Sequence, residues 1–191
     1  AITSKRSTLN LVENVKIFVK KIMKNLFFIL ALPVVAMGQF IVSKVLKKPS
    51  VTVLLLHDMT DSQAKKMAVM LRWLGYFGHF LSPDEFEQIA ERKKNISGNN
   101  FLITFDDGFV SSGAFAEKYL GPIGIRAVFF VCPGFIGSQA QNAQNFIIEK
   151  LYLNQYSKDK ITKHQSAMSV EQIVKLKHVG HKIGSHTVSH L

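Results

Sequence analysis

Phe101-Leu102-Ile103-Thr104-Phe105-Asp106-Asp107-Gly108 is the stretch on which the fold turns. Its first five residues, rich in β-branched and aromatic side chains, read as a buried strand. The two carboxylates come where the apolar run stops, and Gly108 permits a tight turn out of it. Successive side chains of an extended strand point to opposite faces, so the aspartates need not share a role. One can bind a metal while the other faces a reacting atom. About eighty residues on, His186-Thr187-Val188-Ser189-His190 follows a second short strand. If this segment turns helical after Ser185, the two imidazoles fall on one face, a spacing that zinc-protease helices use. One aspartate and two histidines make a three-ligand zinc site with a fourth position open for water. Each motif has an ordinary alternative. Asp-Asp-Gly also makes a turn with a helix cap, and histidines four apart also sit on exposed helix faces. Their joint occurrence, each at a strand end, favours a site.

Working outward, strands and helices alternate. Val51–Leu56 reads as a strand ending at His57, and Asp61–Leu74 as a helix with Asp61 or Ser62 near its cap. Ser82-Pro83-Asp84-Glu85 is a helix start: cap, proline, then acids. Phe109–Leu120 is a helix ended by Gly121-Pro122-Ile123-Gly124, and Arg126–Val131 a strand stopped at Pro133-Gly134. Ser169–Val179 is a helix ended by Gly180, and Lys182–Ser185 leads into His186. This alternation predicts a parallel sheet with right-handed crossovers. His57-Asp58, Asp106-Asp107 and His186 then all follow strands, at the end where β/α barrels build active sites. Gly137–Met168 reads as a long polar, loop-rich insert that shapes a groove, packs or moves. Cys132, the sole cysteine, allows no intrachain disulfide and reads as a small core residue. His79, His164, His178 and His181 read as surface groups; Trp73, Tyr76, Phe77 and Phe80 read as core.

From about Pro49 to Leu191 the chain resembles the first part of a polysaccharide deacetylase domain, the NodB homology domain of carbohydrate esterase family 4. Thr104-Phe105-Asp106-Asp107-Gly108 is similar to that family's first motif, and His186-Thr187-Val188-Ser189-His190 to its second. The resemblance implies an α/β fold, a partial (β/α) barrel. It also implies a hydrolase that removes acetyl groups from an N-acetylated or O-acetylated polysaccharide or oligosaccharide. By it, Asp106 is the catalytic base, and Asp107, His186 and His190 hold a divalent metal, Zn2+. His57-Asp58 resembles the first-strand pair of some deacetylases acting on poly-N-acetylglucosamine, which makes His57 a candidate substrate contact; a residue that merely ends a strand is the alternative. The family's arginine motif and its late general-acid histidine lie downstream of the second motif, and this chain stops one residue after His190. The 141 residues from Val51 to Leu191 compare with about 250 for a whole barrel. The expectation is a catalytic domain truncated after about half the barrel, with open strand edges, and inactive by itself.

The chain carries +11, of which residues 1–50 hold nine Lys/Arg and one acid, a local +8. A nucleic-acid reader carries its basic stripe on the folded domain. Here the excess flanks an apolar run, Leu26 to Val42, with Lys20, Lys21 and Lys24 before it and Lys44, Lys47 and Lys48 after. That pattern points to a membrane surface and away from nucleic acid. The run is seventeen residues, the short limit for a span. A signal peptide cut near Ala36-Met37-Gly38 and a buried helix kinked at Pro33 are the alternatives. The expected division is a basic segment, 1–48, with an anchor helix at 26–42, and a catalytic domain, 49–191. Membrane or cell-envelope placement follows, with a cytoplasmic protein as the alternative. Two rival functions remain. A glycosidase wants carboxyls about 5–10 Å apart across a bond, which leaves the histidines unexplained. A non-catalytic, membrane-associated saccharide-binding protein is the other.

Overall fold

The computed structural model describes residues 49–152, 161 and 165–190. The apolar run 26–42, His164 and Leu191 lie outside the described residues. Among those described, no helix is long and apolar enough to cross a membrane.

Five parallel strands form one sheet: β1 (Ser50–Leu56), β2 (His79–Phe80), β3 (Asn99–Asp107), β4 (Ala127–Val131) and β5 (Lys182–Ser185). β3 is central. β1 pairs along it from Asn99 to Phe105, while β2 and β4 take its other edge in turn, at Asn100–Phe101 and Ile103–Asp107. β5 pairs with β4. The two-residue β2 escapes sequence reading because it is too short to show alternation. The order β1-β3-β4-β5 is an open sheet, so no closed barrel forms among the described residues. A parallel sheet puts every strand's carboxyl end on one edge, and the sequence motifs lie there.

Three helices begin with the same device. In α1 (Asp61–Leu74) Thr60 accepts from the Gln63 amide at 3.3 Å, while Gln63 returns to the Thr60 amide at 2.7 Å. Thr60, extended at φ −73° and ψ 160°, is therefore the cap in place of Asp61 or Ser62. Ser82 and Glu85 do the same for α2 (Pro83–Ala90), and Ser169 and Gln172 for α5 (Val170–His178). Such boxes satisfy two orphan amides at each helix start. The helix expected over Phe109–Leu120 is α3 (Val110–Phe115) followed by a π-turn, Ala116–Leu120. Side chains five apart diverge on an α-helix, and the wider turn lets Phe115 and Leu120 both reach the core. The insert is more ordered than its polar composition predicts. It carries α4 (Ala140–Phe146), continued by a π-turn, Ile147–Leu151. Ala143 and Ile147 bury against Phe109, Cys132 and Phe135. Packing is thus the role of this part of the insert.

The helix-covered face holds the core. Phe105 and Phe129, partners in register, stack with ring centroids 4.8 Å apart. Cys132 is fully buried, as expected of a small core residue. The opposite face, which carries Asp106, leaves Val53 and Leu55 about half exposed. Two sequence expectations are corrected here. Tyr76, just past the end of α1, is 85% exposed and Trp73 is only partly covered, because Ala64, Ala68, Leu71 and Leu74 alone make the buried stripe. His181 is buried, not a surface group: its Nδ1 accepts from the Ala127 amide at 3.0 Å and its ring meets Phe129 edge-on.

Burial, with Arg126 nearby, lowers the His181 pKa to about 4. Above about pH 6.5 both folded and unfolded states hold a neutral ring. As pH falls, the unfolded ring takes a proton first, so stability drops between about 6.5 and 4. We expect the denaturation midpoint to fall over that window, and to fall less in His181→Gln, whose amide oxygen can still accept from Ala127. Equal slopes in urea titrations of the two proteins would contradict this.

Candidate metal centre

The end of β3 sets the geometry. The Asp106 carbonyl accepts from the Gly108 amide at 2.9 Å, and Asp107 between them has φ 71°. An i to i+2 bond across a positive φ is the rare, strained form of γ-turn. Regular alternation would send Asp107 to the helix-covered face. With the turn, both carboxylates come within 3.8 Å of His186: Asp106 Oδ2 and Asp107 Oδ1 each lie at that distance from its Nε2. Gly108, at φ 100°, holds backbone that strains any other residue, and a Cβ there would lie 2.5 Å from Ile136 Cδ1 and displace it.

The histidine segment differs from its sequence expectation. Residues 187–189 form a turn, not a helix, with Thr187 at φ 61° and His190 at φ 62°. The imidazoles still meet, with ring centroids 5.0 Å apart. Asp107, Thr187 and His190 are three of the four non-glycine residues with positive φ among the described residues. Backbone strain therefore gathers at this site, as it does where surrounding structure enforces a functional geometry.

The carboxyl end of β4 joins the two motifs. The Cys132 amide donates to the Asp107 carbonyl at 3.1 Å, and its thiol to the His186 carbonyl at 3.4 Å. Burial, then the Asp107 and Asp106 charges, pushes that thiol up to about 11. It stays protonated and can donate. The Gly134 amide donates to the Val188 carbonyl at 3.0 Å. No sequence pattern marks Cys132 as a crosspiece; only its place straight after a strand hints at it.

Asp107 Oδ1, His186 Nε2 and His190 Nε2 converge. Asp107 Oδ1 lies 3.8 Å from the first nitrogen and 3.6 Å from the second, and the donor set fits within 4.8 Å. These distances are too long for hydrogen bonds. Donors about 2.0–2.1 Å from one tetrahedral ion sit about 3.4 Å apart, so the spacing suits a shared cation. Two further observations fit. Asp107 Oδ1 is buried with no hydrogen-bond partner among the described residues, and burial raises the Asp107 pKa against the pull of His57, His190 and His186. A cation at the shared point would satisfy the orphan oxygen and favour its charge. His190 Nδ1 lies 3.2 Å from the Lys150 carbonyl. A carbonyl only accepts, so Nδ1 holds the proton and Nε2 presents its lone pair, the usual outer-shell arrangement of a metal-binding histidine.

Asp106 stands beside this triad without joining it, and His57 Nε2 approaches Asp106 Oδ2 at 3.9 Å. His57 is half exposed, at the end of β1. The structure thus brings together all five sequence candidates: Asp106, Asp107, His186, His190 and His57.

A profile of the polysaccharide deacetylase family matches residues 93–191. Among solved structures, IcaB from Ammonifex degensii is 24% identical with a TM-score of 0.55, over 72% of this chain and 53% of its own. A de-N-acetylase from Aggregatibacter actinomycetemcomitans is 16% identical with a TM-score of 0.53, over 72% of this chain and 55% of its own. At these identities the likeness concerns the fold. The chain spans about half the length of these solved structures. No curated protein matches it.

A Cβ at Gly134 would lie 2.6 Å from the Val188 carbonyl and push the histidine turn away. If the three donors hold a divalent cation, Gly134→Ala, which alters none of them, should weaken its binding by about 10-fold or more. Competition with a chelator measures this, and unchanged affinity would show that the turn does not depend on that contact.

Proposed function

The chain belongs to the polysaccharide deacetylase family, and from that premise we propose that it hydrolyses acetyl groups from an N-acetylated saccharide polymer or oligomer. An O-acetyl ester is the second bond this chemistry suits. The observation that carries the reading is a carboxylate, Asp106, standing beside three converging donors without being one of them. Asp107, His186 and His190 would hold a divalent cation, Zn2+ by donor type. Such an ion, when bound, polarises the acyl oxygen and lowers the pKa of water.

The remaining steps belong to the chain's own side chains. Asp106 accepts the proton of the attacking water. Its carboxylate is largely buried, but one oxygen faces His186 on one side and His57 on the other. Hydrolysis of an amide also needs a proton on the leaving nitrogen. The sequence offers no residue for that step, whereas the geometry offers His57. It reaches the Asp106 carboxylate from the β1 side, is open to solvent and is not part of the triad. Asp106 takes one proton, His57 gives one, and the free amine and acetate leave. The lysine-flanked apolar run at 26–42 supports a membrane- or envelope-associated enzyme. Removal of residues 1–48 should then shift the protein from the membrane to the soluble fraction, and no shift would count against the anchor.

In the protein of full natural length, Asp106→Asn should abolish acetate release from N-acetylglucosamine oligomers while zinc content stays at wild-type level. His186→Ala should lose zinc first. His57→Gln should keep zinc and lower kcat by about 10²–10⁴-fold, the usual worth of a general acid or base. Wild-type turnover by the Asp106 variant, followed as released acetate, would reject the reading.

A further inference from the structure

We propose that Tyr152 is a positioning residue for His57, acting through Asp58, so that the end of the insert aligns both halves of the site. The proposal rests on the deacetylase reading. Its basis is how three consecutive residues after β1 are tied. The His57 carbonyl accepts from Ser112 Oγ at 3.0 Å, and the Met59 amide donates to Ser111 Oγ at 3.2 Å. Between them, Asp58 Oδ1 accepts from the Tyr152 hydroxyl at 3.1 Å. The two serines belong to α3 and hold backbone atoms. Tyr152 is the tie that comes from the insert.

The same stretch of insert also seats the metal triad. Lys150, two residues before Tyr152, supplies the carbonyl that holds His190 Nδ1. Gln165 Nε2 donates to the Tyr152 hydroxyl at 3.2 Å, bracing it from the returning end of the insert. Beneath them Ala143 and Ile147 are anchored against Phe109, Cys132 and Phe135, with Leu151 and Tyr152 packed on the same cluster. One packed element thus touches both His190 of the triad and the loop that carries His57. His57 itself is half exposed and approaches Asp106 at 3.9 Å, too long for a hydrogen bond. Its aim therefore depends on the loop beneath it, and an error near 1 Å at a reacting group can cost about 10²-fold.

The experiment is a double-mutant cycle on the zinc-loaded protein in its full natural length. Tyr152→Phe removes the hydroxyl and keeps the ring's packing; it should lower kcat by about 10-fold, with KM and zinc content held near wild type. Asp58→Ala should match it, and the double variant should fall no further, because both remove one tie. Asp58→Asn keeps an acceptor oxygen and should recover most of the rate. The ring resonances of His57 should move in Tyr152→Phe while those of His186 and His190 stay in place. Unchanged kcat, multiplicative losses or unmoved His57 resonances would overturn the proposal. If the wild-type protein releases no acetate, the deacetylase reading fails, and the His57 resonances still decide whether Tyr152 positions it.

Discussion

The left-handed backbone at Asp107 is the constraint on which the site depends. A strand that ran straight through this residue would put its carboxylate under the helices and leave Asp106 alone on the open face. The γ-turn ends the alternation one residue early and brings both groups to the His186 ring. Such backbone costs about 1–3 kcal/mol per residue and persists only where the surroundings over-determine it. Here they do. Asp107 is still paired with Val131 of β4, its carbonyl is held by the Cys132 amide, and the residue after it is a glycine at φ 100°, where other residues are strained. The result is a buried carboxylate oxygen with no hydrogen-bond partner among the described residues, which is a cost to the fold unless something positive meets it.

The donors themselves are less unusual than what holds them. His186 is fixed by its amide to Val131 and its carbonyl to Cys132. His190 is aimed by a carbonyl of the insert. His57 sits on a loop tied by Ser111, Ser112 and Tyr152. None of these supporting contacts is a metal or substrate contact, yet each sets the direction of one that could be. A site built at strand ends gains precision from the sheet but needs the following loops braced, and the insert after β4 supplies that bracing.

The parallel register explains why groups so distant in sequence meet. β1, β3, β4 and β5 deliver His57, Asp106-Asp107, Cys132 and His186 to one edge of one sheet. The face leading up to Asp106 stays open, with Val53 and Leu55 half exposed, while the opposite face is filled by Phe105, Phe115 and Phe129.

Local chemistry determined much of this in advance. The apolar runs and their periods placed four of the five strands, the Ser82-Pro83-Asp84-Glu85 sequence placed a helix start, and Asp106, Asp107, His186 and His190 were legible as a donor set from residue type and position after a strand. Those features depend on neighbours within a few residues, so a linear reading reaches them. Other features were decided only by tertiary structure. The i, i+4 histidines suggested a helix, but the segment is a strained turn held by Gly134 and Lys150, residues far away in sequence. His181 looked like a surface group until the Ala127 amide and Phe129 enclosed it. The polar insert looked like a loop because its stabilising partners, Phe109 and Phe135, lie outside it. His57 was one strand-end histidine among several possible roles until the register carried it to within 3.9 Å of Asp106. In each case the deciding free energy comes from contacts between segments, and a single segment's pattern does not contain it.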